Sequence, residues 1–540
     1  MKEKISLHKY KILFLMLFLI GFFATFSYGK YWDENTEQRI LYMNIKEYVM
    51  RLAPSDSAIY QEYDANPLEP ISQNKDRDHG VAAYYPIHFI IQSDISPQAR
   101  MHIWHLYTFF IFFGGVLCLY YVMEQLSNKK WLGLVTSLMY YLSPRIFADG
   151  HYNNKDMVAL SFFLYLTALF LSILKKVTWW KILLASLVVA VLTNTKIIGL
   201  CLAGALVLMY VIVACNRKVS IKTILCILGS GLAASLVFLF LLTPAMWDSV
   251  VDYFIYNVES STAFLRWDGY IRFRGNDYRN VYDPLPKYYL PYMIVITTPI
   301  YVLVCAAIGH LSLLVKLIKQ KLRFFKDSKN MVMTIMFITW FMPVVYAVLS
   351  NMPLYNSWRH LFFIYGPFII LAGFGVEQLF EWIEKKNSKK GHLIATSILG
   401  ICILFSALGI VVNHPYEYGY YNVLAGKAAD EKYDMDYWNV SMKDALEYVT
   451  GLQDNAVTVT AFEYYSYDGI KESSVIVDTP EKIKVVDDYE ENWKDADYLV
   501  VNVTYGLIYD EDTYEQVRQE YQLIHTIESY GNAMIEIYRK

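Results

Sequence analysis

Long apolar runs alternate with short polar ones along most of the chain. The first occupies 12–26. Further runs of spanning length fall at roughly 103–123, 131–147, 157–174, 180–196, 198–215, 222–243, 291–315, 331–350, 360–378 and 392–412. The pattern predicts a polytopic α-helical membrane protein of about eleven spans, in which closely spaced pairs can be broken or re-entrant helices. The periodicity changes after the last run. Ala456 to Ala461, Ser474 to Val477 and Tyr498 to Asn502 read as strands. Asp512 to Gln522 reads as a helix, and Leu523 to Tyr538 as a strand pair turning at Tyr530, Gly531 and Asn532. The chain thus divides into a transmembrane domain, 1–428, and a small α/β domain, 429–540. The two large loops of the first domain are 29–102 and 244–290.

Charge fixes the orientation. Lys129 and Lys130, Lys175 and Lys176, Arg217 and Lys218, the stretch Lys316 to Lys329, and Lys385 to Lys390 all fall in alternate loops, and the basic amino terminus joins that set. Lys and Arg collect on the cytoplasmic side, so the amino terminus is predicted inside and the carboxyl terminus outside. No clear A-x-A cleavage site follows the first run, and Ser27-Tyr28-Gly29-Lys30 is a poor substitute, which favours an uncleaved first helix over a signal peptide.

Of the 540 residues 55% are hydrophobic, and Lys plus Arg (48) nearly balance Asp plus Glu (51). That balance offers no field for nucleic acid. All six cysteines lie in or beside apolar runs and read as small buried hydrophobes. No G-x-x-x-x-G-K-[ST] motif is present, which removes the support for a cytoplasmic nucleotide-driven engine.

The candidate chemistry lies in the predicted exported segments. Trp32, Asp33 and Glu34 follow the first run directly, two carboxylates at a membrane exit. A helix from Asn35 to Leu52 follows them. Asn35 and Gln38 have capping-box spacing, and Leu41, Ile45, Tyr48 and Leu52 form a stripe. A helix start explains one acidic residue there but not both. The turn 144–156 packs Arg145, Asp149, His151, Lys155 and Asp156 between two runs, where charges are paired or functional. Arg145 with Asp149, or Lys155 with Asp156, would be the structural pairings. Arg77 and His79 belong to a mixed-charge cluster in the first loop, between Lys75 and Gly80. A divalent metal stays open through Asp76, Asp78 and His79, although their spacing matches no strong metal motif. Tyr355 precedes Arg359 and His360 at the start of a span, an arrangement suited to a phosphate. Thr297, Thr298 and Pro299 mark a kink inside a span.

Taken in order and by membrane side, these segments resemble the GT-C superfamily of integral-membrane glycosyltransferases. The resemblance is to the branch of protein O-mannosyltransferases, aminoarabinose transferases and their bacterial relatives. The segments are Trp32 to Glu34, Ser143 to Asp156, Pro286 to Pro299, Trp358 to His360, and His414 to Trp438. The resemblance implies a polyprenyl-phosphate-linked sugar as donor, inversion at the anomeric carbon, and a site on the extracytoplasmic face of the cell membrane. It places catalytic roles on Asp33, Glu34 and Asp156, and the donor phosphate near Arg359 and His360.

Lys155 and Arg77 are further phosphate candidates, and Trp32, His79 and Tyr355 are substrate-binding candidates. Neighbouring side chains point apart, so one of Asp33 and Glu34 serves as base; Asp33 is the choice, with Glu34 orienting. The expected partners are the lipid-linked sugar, membrane lipids, and an acceptor that is a protein, a lipid or a glycan. A transporter or flippase of a lipid-linked saccharide is the alternative, and an assembly or sensor protein acting through its last hundred residues is a third reading. The first would need polar residues at mid-membrane and repeated halves, neither of which the sequence shows.

Overall fold

The computed structural model describes residues 2–262, 267–486 and 489–540, so 263–266 within the loop 244–290 lie outside the described residues. Helices account for most of it. Among the described residues nine are long and apolar enough to cross a membrane. They include α1 (Lys2–Ala24), preceding α2 (Glu34–Leu52), and then α3 (Pro97–Ser127). Two of the expected runs form shorter helices, α4 (Lys130–Tyr141) and, later, α7 (Trp179–Thr195), so nine rather than about eleven described helices reach spanning length. Between them stand α5 (Pro144–Tyr152) and α6 (Asp156–Lys175). The remaining long helices are α8 (Gly199–Asn216), α9 (Ile221–Leu242), and, after α10 (Tyr289–Thr297), α11 (Ile300–Gln320), α12 (Ser328–Ser350), α13 (Tyr365–Lys385) and α14 (Lys389–Asn413).

Local chemistry sets several of these boundaries. Ser96 accepts from the Ala99 amide with Pro97 at the first position of α3, and Asp327 accepts from Lys329 and Asn330 at the start of α12. At Pro299 the predicted kink is a full break between α10 and α11. The Asn422 side-chain amide donates to the carbonyls of Val295 and Thr298, 2.7 Å each, and so satisfies groups that the break exposes. α11 and α13 approach until backbones touch: a Cβ on Gly309 or Gly375 would collide with the carbonyl of Leu371 or Cys305.

Three expectations need correction here. The apolar run 131–147 is not one helix. Ser143 and Pro144 end it after α4, and the turn expected at 144–156 begins with the buried helix α5. The capping box of Asn35 and Gln38 does not form. The helix starts one residue earlier, with Asp33 as cap residue, and Asn35 bonds to Glu472 instead. The expected apolar stripe also stops short, since Leu41 and Ile45 are buried but Leu52 is 77% exposed.

The chain from His414 to Val440 runs back across the membrane domain and joins its core through Tyr418, Tyr421, Tyr433, Tyr437 and Trp438. Beyond it come α15 (Met442–Gly451), β1 (Val457–Thr460), α16 (Tyr464–Ser473), β2 (Ile483–Val485), β3 (Tyr498–Asn502), α17 (Val503–Tyr509), α18 (Glu511–Glu520), β4 (Gln522–Ser529) and β5 (Asn532–Arg539). They form one mixed sheet in the order β2-β1-β3-β5-β4, with β1 parallel to both β2 and β3 and the last three strands antiparallel. Alternation along β3 sends Tyr498 and Val500 to one core and Leu499 and Val501 to the other. The strand expected at Ser474 to Val477 is a turn, and the edge is taken by β2 instead. Tyr530 and Gly531, both at positive φ, turn the final hairpin, and the Tyr530 amide donates to Asn413 at the end of α14.

Candidate functional site

The site forms where α1 leaves the membrane domain. The Trp32 amide donates to the Trp438 carbonyl at 3.1 Å, which binds the segment before α2 to the returning chain. The Tyr31 hydroxyl donates to Asn154 at 2.7 Å and receives the Trp104 indole N–H at 3.3 Å. These contacts fix Asp33 and Glu34, which turn in opposite directions. Glu34 is 1% exposed; its Oε2 lies 2.9 Å from His105 Nε2 and its Oε1 accepts from Gln38. The Asp33 side chain keeps 45% of its surface accessible and faces Arg359, with Oδ2 3.6 Å from Nη1. Surrounding protein raises the Asp33 carboxyl above the usual aspartate range, and the Arg359 guanidinium opposes the shift.

Arg359 comes from a short 3-10 turn, Arg359–Ile364, that leads into α13. Aromatic rings hold it: its guanidinium carbon is 4.2 Å from the Trp438 ring, 4.4 Å from Tyr355 and 5.7 Å from Tyr437. The Tyr355 ring also packs against His360 at 3.9 Å between centroids. Asp156, 6% exposed at the start of α6, accepts from Asn153 at 3.1 Å and pairs with Lys196. Lys196 in turn donates to the His360 carbonyl at 3.2 Å. Neither structural pairing expected in 144–156 forms. Lys196 rather than Lys155 holds Asp156, and Arg145 donates to the Tyr420 carbonyl (3.0 Å) and Ser357 (3.3 Å).

The first loop closes over this group. A Cβ on Gly80 would strike the Asn194 carbonyl, so only glycine lets the loop lie so close to the end of α7. That contact sets His79, whose Nδ1 lies 3.2 Å from Glu37 Oε1. Burial alone would raise the Glu37 carboxyl, but His79 and the charge of Lys155 outweigh it and hold Glu37 below its ordinary range. Arg77 is not drawn into this group; its guanidinium lies 3.6 Å above the Tyr256 ring. Asp78 accepts from Ser260, and among the described residues no three His, Cys, Asp or Glu side chains gather as a metal-ligand set.

The geometry thus gathers Asp33, Lys155, Asp156, Arg359, His360, Tyr355 and His79, with Trp32 alongside. Sequence reasoning missed Glu37, Lys196 and the pair Tyr437 and Trp438 as members. Lys196 carried a signal: it is a lone cation at the end of an apolar run on the side where the charge pattern expects few. Tyr437 and Trp438 close the last segment of the family resemblance, but the sequence assigns them no role.

No family model and no curated protein matches the chain. Among solved structures, it is similar to the crystal structure of ArnT from Cupriavidus metallidurans in the apo state, at 12% sequence identity and a TM-score of 0.46, covering 99% of this chain and 98% of that one.

Proposed function

We propose that this chain is a GT-C-type glycosyltransferase that moves a sugar from a polyprenyl-phosphate donor to an acceptor hydroxyl, on the extracytoplasmic face and with inversion. The observation that carries the reading is the accessible Asp33 carboxylate facing Arg359 at 3.6 Å where the first span ends. In this reading the Asp33 carboxylate takes the acceptor's proton as the new C1–O bond forms. The bond from C1 to the phosphate oxygen breaks on the opposite side, and its electron pair leaves with the phosphate. Arg359 and Lys155 balance the charge that grows there. The loose ion pair has a use in this scheme. A phosphate competes for the same guanidinium, and as Arg359 turns to it Asp33 loses its counter-charge and becomes a stronger base. Glu34, enclosed beside His105, orients the segment rather than reacting.

Purified protein supplied with a labelled polyprenyl-phosphate sugar is expected to release polyprenyl phosphate. Asp33→Asn should slow that release by at least about 100-fold, the usual contribution of a positioned base, without changing the unfolding midpoint. Full turnover by the variant removes the base assignment. Binding and translocation of the lipid with its sugar bond intact would replace transfer by the transporter reading.

A further inference from the structure

The helix α5 carries a feature that the proposed reaction does not use. Arg145, Asp149 and Tyr152 stand at i, i+4 and i+7, hence on one face. Each is between 0% and 3% exposed, and each has a buried polar atom without a protein partner: Arg145 Nη2, Asp149 Oδ2 and the Tyr152 hydroxyl. The returning chain faces them with two more such atoms, the Tyr437 hydroxyl and Trp438 Nε1, at 4% and 3% exposure. Arg359 adds its Nε. These groups adjoin one another. The Trp438 ring lies 6.5 Å from the Tyr152 ring and 4.2 Å from the Arg359 guanidinium carbon, and the Tyr437 hydroxyl lies in the field of Asp149, Arg145 and Arg359. A buried polar atom left unpaired is costly, and folded proteins carry only a few per hundred residues. Six in one neighbourhood call for partners from outside the chain.

The chemistry of the six selects the ligand. Three are N–H donors, one is a carboxyl oxygen that accepts, and two are hydroxyls that do either. A phosphate would meet the Asp149 oxygen, and an ammonium would meet two guanidinium groups. A ring of neighbouring hydroxyls, each donating and accepting, satisfies every member. We infer that the α5 face, with Tyr437, Trp438 and Arg359 Nε, is a recognition site for an uncharged sugar ring, set beside Asp33 and sharing Arg359 with the phosphate site. The inference rests on the transferase reading for the identity of that sugar as the donor's own.

The test compares binding, in detergent, of undecaprenyl phosphate with undecaprenyl phosphate bearing mannose, glucose, galactose or N-acetylglucosamine. The wild type should bind at least one sugar-bearing lipid tenfold or more tightly than the bare lipid. Tyr437→Phe and Asp149→Asn should each remove threefold or more of that advantage, taken as the ratio of sugar-bearing to bare-lipid affinity. Tyr437→Phe deletes a hydroxyl with no protein partner, so its unfolding midpoint should match the wild type, whereas a structural hydroxyl would lower it. The inference is overturned if none of the four sugars improves on the bare lipid, or if both variants keep the full advantage. Discrimination with no bond cleavage would instead sink transfer and leave the sugar site. Transfer that proceeds without discrimination would sink the sugar site alone.

Discussion

Asp156 and Lys196 are both nearly enclosed, and each is tolerable there because of the other. Removing one member of a buried pair leaves the second charge without compensation, which costs more than the pair itself contributes. Lys196→Met is accordingly expected to destabilise the protein by about 3 kcal/mol, read as a fall in the thermal unfolding midpoint, and Lys196→Met with Asp156→Asn should recover most of it. If the double variant is no better than the single one, the two are not a pair. Single residues of this kind show how far the sequence could be read. Asp33 stood out because two carboxylates abut a membrane exit. Lys196 did not, because an apolar run absorbed it and its partner lies 40 residues earlier. The split between Asp33 and Glu34 followed from neighbouring side chains pointing apart; His105, which takes Glu34, could not be foreseen, since only packing brings it there.

Elements come together at Asp434. Its carboxylate accepts from the Asn356 side chain at 2.7 Å and from the Arg272 amide at 3.0 Å, in the hairpin strand Tyr270–Phe273. One residue thus joins the loop before Arg359, the second large loop and the returning chain. Burial pushes this carboxyl up to about 7, with the hydrogen bond from Asn356 opposing. A carboxyl raised on folding binds its proton more tightly in the native state. Its contribution is therefore full below the unfolded value near 4 and is lost as pH rises through about 7. The unfolding midpoint of Asp434→Asn should fall less than that of the wild type between pH 5 and 7.5, by several degrees or fewer; parallel slopes would remove Asp434 from the titration. At this scale the long apolar helices and the final hairpin were legible, because period and turn chemistry are local. The break at Pro144 was half-legible, since proline announces a helix start but apolar neighbours suggested one continuous span. The false strand at Ser474 to Val477 has the composition of a strand, but α16 feeds directly into it and leaves the edge to β2.

Across the whole molecule, the last domain and the membrane helices share one site. Lys30 pairs with Glu472 at 2.7 Å, Trp32 packs against Tyr465 at 5.5 Å, and Trp438 both binds the Trp32 amide and stacks on Arg359. A chain ending at 428 should therefore insert its helices and yet show less than about 1% of wild-type release of polyprenyl phosphate, since both orientation and charge placement at Asp33 and Arg359 are lost. Residues 429–540 on a single membrane anchor should be equally inactive; release of polyprenyl phosphate by that piece would remove Asp33 and Arg359 from the reaction. The multi-pass helical character was readable, because hydropathy is a sum over many residues. The joining of distant segments was not, because it depends on which aromatic rings fill which gaps.

The shortness of α4 has a consequence for supply. At 12 residues it rises about 18 Å, well under the thickness of a hydrocarbon core. The face carrying Arg145 and Asp149 follows directly, on α5. In the proposed reading a carrier lipid would reach that face sideways, by two-dimensional diffusion within the bilayer. The concentration that would then govern turnover is a surface density, a mole fraction of carrier among other lipids, indifferent to the volume of water outside.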